Sequence, residues 1–341
     1  MLKILSENES EALFKVMDQS IEILQDELST SYIDALIETG DNLIEKNVQV
    51  EDGKPSTTAV TKLTTLYQSI DLSQLDASTI RRAIQYSMLK VTQKDTIQPN
   101  HQLTPDTIGM IIGYLVTSLL PQSSELEVLD LAVGTGNLMT TVINELIGNS
   151  IPKVKGIGVD NDDTLLAIAQ ISANLQGLNL ALYHQDSLGK LAFGKSDVAI
   201  SDLPVGYYPL YENAKKYTTS ANDGHSYVHH LLIEQSMSHV KDGGFGIFLV
   251  PTNLFQSGQA KQLLKWMQGS AYLQGFLNLP KALFLNDSAQ KSILILQNHG
   301  DGALQANKVM LGEFPSFKNQ AQFKKFMGEI LEWEQQDLFK K

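Results

Sequence analysis

The sequence predicts an α/β protein with a seven-stranded, mostly parallel sheet, helices on both faces of that sheet, and an all-helical domain before it. Two patterns predict this class. From about residue 125, short apolar runs alternate with helical runs, which is typical of a parallel sheet covered by helices. Before that point, apolar residues recur only at helical spacing.

The seven strands are predicted from apolar runs in the second part of the chain. They lie at 125–131, 154–160, 180–184, 197–201, 244–251, 272–280 and 292–298. Helices are predicted between them at about 137–147, 162–176, 225–240 and 256–268. The connection at 281–291 is too short for a parallel crossover helix, so we expect the last strand to run antiparallel.

The chain divides into three predicted parts. Residues 1–95 form a helical domain, in which the apolar positions with helical spacing are Leu13, Val16, Met17, Ile21, Leu24 and Leu28. Residues 96–300 form the α/β domain, and residues 301–341 form a C-terminal helical extension. Within the α/β domain, Thr104 is the predicted N-cap of a helix whose first position is Pro105.

Composition limits the possible functions. Cysteine is absent from the 341 residues, which excludes disulfides and thiolate metal sites. Residues 1–16 become charged too early for a signal peptide, and the apolar run at 110–120 is too short to span a bilayer. We therefore expect a cytoplasmic protein with no membrane segment. The net charge of −12 argues against a protein that binds nucleic acid without a partner, because such proteins usually present a basic surface.

A glycine turn follows the first predicted strand. In "LDLAVGTGNL", residues 129–138, Gly134 and Gly136 permit a tight turn and a close approach to a ligand. The helix that follows presents unpaired N–H groups. Asp160 ends the second strand, where a carboxylate accepts hydrogen bonds from ribose hydroxyls. Together these features predict a nucleoside-binding loop.

Two kinds of nucleoside ligand are compatible with this loop. A nicotinamide dinucleotide site requires a third glycine, and that position here is Met139. A methyl-donor site instead places acids at the ends of the first three strands, where this chain has Asp130, Asp160 and Asp186. The methyl-donor pattern is favoured, and a dehydrogenase stays open as the distant alternative.

The ordered motifs resemble those of class I S-adenosylmethionine-dependent methyltransferases. They are most similar to adenine-N6 DNA methyltransferases of the type I restriction modification subunits, over roughly residues 100–298, with departures at Leu131 and Thr135. The resemblance implies a Rossmann-like methyltransferase sheet and S-adenosylmethionine as cofactor. The implied cofactor-binding residues are Thr104, Pro105, Asp130, Ala132, Gly134, Thr135, Gly136, Asn137, Leu138, Asp160, Asn161, Asp186, Ser187 and Leu188.

The resemblance also assigns an acceptor loop. Residues 202–205, "DLPV", stand where the family carries Asn/Asp-Pro-Pro-Tyr/Phe. By this resemblance, the Asp202 side chain and the Leu203 carbonyl accept the two hydrogens of an exocyclic amine and direct its lone pair at the methyl donor. Pro204 is retained, whereas Val205 lacks the aromatic ring that stacks on a base, a contact worth roughly 1–3 kcal/mol. The nearby candidates for that ring are Tyr207 and Tyr208.

Several functions remain open at this stage. The resemblance implies methylation of adenine in nucleic acid, foremost DNA, and the absence of cysteine excludes the usual route to 5-methylcytosine. The alternatives are a methyltransferase acting on RNA, protein or a small molecule, and a catalytically degenerate cofactor-binding scaffold. The helical domain at 1–95 is expected to serve either as a lid or as the docking surface for a specificity-subunit partner or a second copy of the chain.

Three histidines and one glutamate have partial metal-ligand spacing: His225, His229, His230 and Glu234. No third ligand is evident for either helical pair. We therefore predict that the histidines have satisfied positions on a helix face, and that the protein has no metal site.

Overall fold

The computed structural model describes residues 2–95, 103–121, 123–149, 151–284, 286 and 289–339. The predicted boundary between residues 95 and 96 falls at the start of the stretch 96–102, which lies outside the described residues. In the part of the chain described here, no helix is both long and apolar enough to cross a membrane.

The described residues form an N-terminal group of helices followed by an α/β unit. The helices are α1 (Leu2–Leu28), α2 (Tyr32–Glu45), α3 (Thr57–Gln68), α4 (Ala77–Lys94), α5 (Asp106–Leu119), α6 (Asn137–Gly148), α7 (Asp163–Leu175), α8 (Tyr211–Ala214), α9 (Val228–Ser238), α10 (Ala260–Ser270) and α11 (Gln320–Trp333). The strands are β1 (Glu125–Asp130), β2 (Lys153–Asp160), β3 (Asn179–His184), β4 (Ser196–Asp202), β5 (Val240–Pro251), β6 (Ala271–Asn278), β7 (Lys291–Asn298) and β8 (Met310–Glu313).

The strands form one mostly parallel sheet in the order β3-β2-β1-β4-β5-β7-β6-β8. Strand β7 runs antiparallel to both of its neighbours, as predicted for the last strand of the α/β domain. The class predicted from the sequence is therefore confirmed, but the described sheet has eight strands and not seven. The eighth, Met310–Glu313, pairs in parallel with β6 and lies in the extension that was predicted to be helical. Its four residues are half-buried or exposed, and the apolar stretch that enters it, 309–311, is only three residues long.

Two apolar layers cover the two faces of the sheet. On one face, buried side chains of α5, α6 and α11 pack on β1, β4 and β5, as at Ile112, Val142 and Ile330. On the other face, α9 and α10 supply Leu231 and Leu263 to a second cluster. Helices therefore lie on both faces, which keeps β1 and β4 central and their carboxyl ends at one edge.

The helical domain packs directly on the α/β unit. Its core includes Leu13, Tyr32 and Leu63, together with Ile168 of α7. A Cβ at Gly40 of α2 would lie 2.3 Å from a methyl carbon of Ile171, so only glycine allows α2 to approach α7 this closely. The helical domain is therefore attached beside the glycine loop and shares its core with α7.

Candidate functional site

The candidate site lies where four parallel strands end. Asp130 ends β1, Asp160 ends β2, Asp202 ends β4, and Asp186 follows β3 by two residues. Strands β3, β2, β1 and β4 are adjacent and parallel, so these four carboxylates share one edge of the sheet. In open α/β sheets this edge is where ligands bind.

The glycine loop leads from β1 into α6. Gly134 (φ +50°) and Gly136 (φ +72°) have left-handed backbone conformations, and Gly136 is the residue before α6. A Cβ on Gly136 would lie 3.1 Å from the Cβ of Ala169, whereas a Cβ on Gly134 would meet no atom within 4 Å. The loop is thus packed against α7 at Gly136 and open at Gly134.

Two carboxylates, the buried Asp130 and the half-buried Asp160, hold the glycine loop in place. Oδ2 of Asp160 accepts a hydrogen bond from the Gly134 N–H at 2.8 Å. Oδ1 of Asp130 accepts from the Ala132 N–H at 3.0 Å and from the Ser201 hydroxyl at 2.6 Å. Burial raises the pKa of Asp130 to about 7 and also raises the pKa of Asp160. Ser201 lies 71 positions away from Asp130, and no motif predicts its hydrogen bond to that carboxylate.

Asp186 joins the third strand to the acceptor loop. Its Oδ1 accepts from the Leu188 N–H at 3.0 Å, and its Oδ2 accepts from the hydroxyl of Tyr208. Tyr208 is buried, and burial together with this hydrogen bond raises its pKa to about 12. The Tyr208 ring is therefore held at the Asp186 side of the site.

Asp202 has two side-chain partners. The Thr104 hydroxyl donates to Oδ2 of Asp202 at 2.8 Å, and the Lys291 ammonium donates to Oδ1. The prediction of Thr104 as an N-cap is wrong, because α5 begins at Asp106 and Pro105 precedes it with no side-chain cap. The Thr104 hydroxyl donates its hydrogen bond to Asp202 and not to the main chain of α5.

The rest of the acceptor loop runs from the core to the surface. The Leu203 side chain is fully buried, and its N–H donates to the Leu249 carbonyl at 3.1 Å. Pro204 is half-buried and Val205 is exposed. The Gly206 carbonyl accepts from the Val228 N–H at 3.0 Å, which ties the loop to the start of α9.

Three aromatic rings stack beside this loop. The rings of Tyr207 and Tyr227 lie 5.0 Å apart with an interplanar angle of 13°, and those of Tyr227 and His229 lie 5.2 Å apart at 26°. Tyr207 is 61% exposed at the open end of the stack, whereas His229 is buried at the other end. Tyr207, whose ring also lies 6.2 Å from that of His225, is therefore the most exposed ring of this stack.

The prediction that the histidines have satisfied positions on a helix face is wrong for His229 and His230. His229 and His230 are buried, but among the described residues Nδ1 of His229 and both ring nitrogens of His230 have no hydrogen-bond partner, so these positions are not satisfied there. Burial lowers the pKa of His229 to about 3 and that of His230 to about 4. Glu234 accepts hydrogen bonds from the N–H groups of Thr218 and Thr219, so its carboxylate holds the turn that contains them.

The remaining predicted cofactor residues have mixed surroundings. Asn137 donates to the Thr104 carbonyl at 2.7 Å, and Ser187 donates to the Leu131 carbonyl at 2.6 Å. The side chains of Leu138 and Leu188 are buried in the core, so they offer a ligand only their main chain. Ala132 and Thr135 are half-buried and Asn161 is exposed. Which of these residues touch a ligand stays a prediction.

The comparisons with known proteins agree with this geometry. A model of the N-6 DNA methylase family matches residues 76–330. The chain belongs to that family. A second model, of the YtxK N-terminal helical domain, matches residues 11–91, which lie within the helices that precede the sheet. The methyltransferase resemblance drawn from the sequence is thereby confirmed.

One similar protein has nearly the same length as this chain. It is the uncharacterized protein YtxK of Bacillus subtilis (strain 168), 38% identical over 323 residues, which are 94% of this chain and 96% of the relative. A methylase subunit of the type I restriction enzyme MjaVIII from Methanocaldococcus jannaschii is 25% identical, over 58% of this chain and 36% of that protein.

A solved structure from Listeria monocytogenes is also similar. It is described as a putative class I S-adenosylmethionine-dependent methyltransferase, is 38% identical, and matches with a TM-score of 0.88 over 96% of this chain and 99% of that chain. The cofactor expected from the sequence agrees with that description.

Proposed function

We propose that this protein is an S-adenosylmethionine-dependent N-methyltransferase that acts on an exocyclic amine of a flat base. The observation that carries the proposal is the position of Asp202. Its carboxylate lies at the end of β4 and is joined through the Thr104 hydroxyl, at 2.8 Å, to the segment that contacts the glycine loop. Family membership and the Listeria monocytogenes structure support the choice of cofactor.

The residues of the glycine loop fit a nucleoside cofactor. The direction of a Cβ on Gly134 is open for 4 Å, so a ligand has room to approach the main chain there. Asp160 uses one hydrogen bond from each of two main-chain N–H groups, of Gly134 and Asp162, which leaves lone pairs for ribose hydroxyls. When bound, S-adenosylmethionine supplies an electrophilic methyl group on a sulfonium.

At the acceptor, Asp202 and the Leu203 carbonyl would hold the two amine hydrogens. Holding them localises the nitrogen lone pair, and the carboxylate stabilises positive charge that develops on the nitrogen during transfer. Lys291 already donates to Oδ1 of Asp202. Each carboxylate oxygen accepts about two hydrogen bonds, so the amine would use the remaining position on that oxygen or displace the ammonium.

Tyr207 would replace the missing stacking ring of Val205. Its ring is the exposed end of the stack with Tyr227 and His229, so a base placed against it would extend that stack. Adenine in DNA is the acceptor that we propose first, because the similar protein from Methanocaldococcus jannaschii is named a type I restriction methylase subunit. Because the net charge of the chain is −12, we propose that a partner subunit or a second copy docked on the helical domain supplies the positive surface that binds DNA.

A second candidate is a cofactor-binding protein without methyl transfer. The ion pair of Lys291 with Asp202 favours it, because a positive charge beside the acceptor position opposes the charge that develops on an amine. The exposed Val205 favours it too, because no ring follows Pro204 in the loop.

Calorimetry with S-adenosylmethionine and transfer of a tritiated methyl group test both candidates. We expect the cofactor to bind and the label to enter adenine of DNA, with RNA and lysate protein as competing acceptors. Asp202→Ala should bind cofactor but abolish transfer. Tyr207→Ala should reduce transfer more than Tyr211→Ala does. Tyr211 is the matched control because it is an exposed tyrosine nearby, at the start of α8.

The outcomes separate the candidates. Absence of cofactor binding would remove both of them. Binding without transfer to any of the three acceptors would favour the second candidate, and label in RNA or protein would replace DNA as the acceptor.

A further inference from the structure

A chain of hydrogen bonds joins the N-terminal helical domain to the carboxylate at the end of β4. Nε2 of Gln85 on α4 donates to Oδ1 of Asn137 at 2.8 Å, and Nδ2 of Asn137 donates to the Thr104 carbonyl at 2.7 Å. The Thr104 hydroxyl then donates to Oδ2 of Asp202 at 2.8 Å. Each bond joins residues at least 33 positions apart, so tertiary packing alone brings them together.

Arg81 adds a second attachment, one helical turn before Gln85 on the same face of α4. Its guanidinium donates to the Thr141 hydroxyl at 2.9 Å and to Oδ2 of Asp106 at 3.0 Å. Gln85 donates to the other oxygen of Asp106, at 2.5 Å. The Arg81 side chain is 9% exposed, so this ion pair is shielded from solvent on the arginine side. Helix α4 therefore holds the first residue of α5 and the first turn of α6.

The space between α4 and the glycine loop is too small for a ligand. A cavity of about 10 Å³ lies there, and its lining includes Arg81, Gln85, Leu103, Thr135 and Asn137. Sites for small molecules occupy roughly 300–1,000 Å³, whereas a cavity of about 10 Å³ has room for a single water molecule. Arg81 and Gln85 would therefore act through the loop and not by touching the cofactor.

We propose that Gln85 and Arg81 are positioning residues for the cofactor, so that the helical domain holds the cofactor loop in its binding conformation without contacting the cofactor itself. The proposal rests on the proposed function, because it requires the chain to bind S-adenosylmethionine. Without Gln85, buried Asn137 loses its donor and its amide is free to turn away from the Thr104 carbonyl. A ligand would then have to order Thr104 and the start of α6, which lowers its affinity.

Calorimetry with S-adenosylhomocysteine on the full chain tests this proposal. We expect Gln85→Leu to bind about tenfold more weakly, which corresponds to about one lost hydrogen bond. Arg81→Lys keeps the charge beside Asp106 but loses the second donor to Thr141, so we expect a smaller loss of about threefold. This milder variant also serves if Gln85→Leu does not fold.

Two matched variants on α4 separate positioning from stability. Ile80→Ala removes a buried side chain of the helical-domain core, and Ser87→Ala removes a buried hydroxyl that bonds only to the Ala83 carbonyl of its own helix. Urea unfolding should show a clear loss of stability for Ile80→Ala. Both variants should nevertheless bind S-adenosylhomocysteine within about twofold of the unmodified protein, because neither side chain bonds to the loop.

A double variant tests the route through Asn137. If Gln85 acts through Asn137, then Gln85→Leu combined with Asn137→Ala should bind no more weakly than Asn137→Ala alone. Additive losses, or an unchanged affinity for Gln85→Leu, would overturn the proposal, as would an equal loss for Ile80→Ala. If the unmodified protein fails to bind S-adenosylhomocysteine, the proposed function fails and this proposal fails with it.

Discussion

The ammonium of Lys291 donates a hydrogen bond to the carboxylate of Asp202, across an 89-residue separation in sequence. The two side chains are 27% and 22% exposed, so water screens their attraction only in part. The pair stands at the position where the proposed acceptor amine would be held. The carboxylate proposed to hold the acceptor amine therefore already has a hydrogen-bond donor in this structure.

The first prediction concerns the stability of this pair. Lys291→Met leaves a partly buried carboxylate with Thr104 as its remaining partner, so we expect the free energy of unfolding to fall by about 1–2 kcal/mol. Lys195→Met is the matched control, because Lys195 pairs with Asp242 at 51% and 68% exposure. Its loss should cost less than about 0.5 kcal/mol. Urea unfolding measures both, and equal losses for the two variants would contradict the prediction.

The two glycines of the loop should respond differently to alanine. Gly134→Ala points its methyl into open space over the loop, so we expect weaker cofactor binding with a stability loss of only about 1–2 kcal/mol from the left-handed backbone. Gly136→Ala meets Ala169 at 3.1 Å and has the same backbone cost, so we expect it to lose more stability. Unfolding and calorimetry on both variants give the comparison. A Gly136→Ala protein that is more stable than Gly134→Ala would show that α7 yields to the added methyl.

The strands and the carboxylates at their ends could be predicted because they depend on local pattern. Asp130, Asp160 and Asp202 each end an apolar run that is recognisable in the sequence alone. Strand β8 was missed because the apolar stretch at 309–311 is only three residues long and Met310–Glu313 has no buried face. Its pairing depends on the free edge of β6, which is a property of the assembled sheet.

The partners of the site residues could not be predicted, because they come from distant segments. Lys291 opens the last strand of the α/β domain and has no motif around it, yet it reaches Asp202 because β7 lies beside β5, which pairs with β4. Thr104 has the local features of an N-cap, but the tertiary contact with Asp202 prevails. Spacing likewise could not show that His230 would be buried without a partner.

Burial raises the pKa of Asp130 from 3.8 to about 7, so the stability of the protein should depend on pH through this group. Between these two values the folded state binds more protons than the unfolded state, so the contribution of Asp130 to stability is lost as pH rises from about 4 to about 7. Asp130→Asn cannot titrate. Relative to this variant, the unmodified protein should lose up to about 4 kcal/mol across that range, since one pKa unit is worth about 1.4 kcal/mol. Urea unfolding at pH 4, 5, 6, 7 and 8 measures the difference, and a constant difference would contradict the prediction.

The last prediction has the opposite sign. Burial lowers the pKa of His230 from 6.5 to about 4, so between these values the unfolded state binds more protons than the folded state. The free energy of unfolding is therefore unaffected by this group above about pH 6.5. It decreases as pH falls towards 4, because protonation then favours the unfolded state. Leucine has a similar volume and no ring nitrogens to bury, so His230→Leu should be at least as stable at pH 7 and gain roughly 2 kcal/mol over the unmodified protein at pH 5. Urea unfolding at the two pH values tests this. A His230→Leu protein that is less stable at pH 7 and gains nothing at pH 5 would show that the imidazole has a partner in solution.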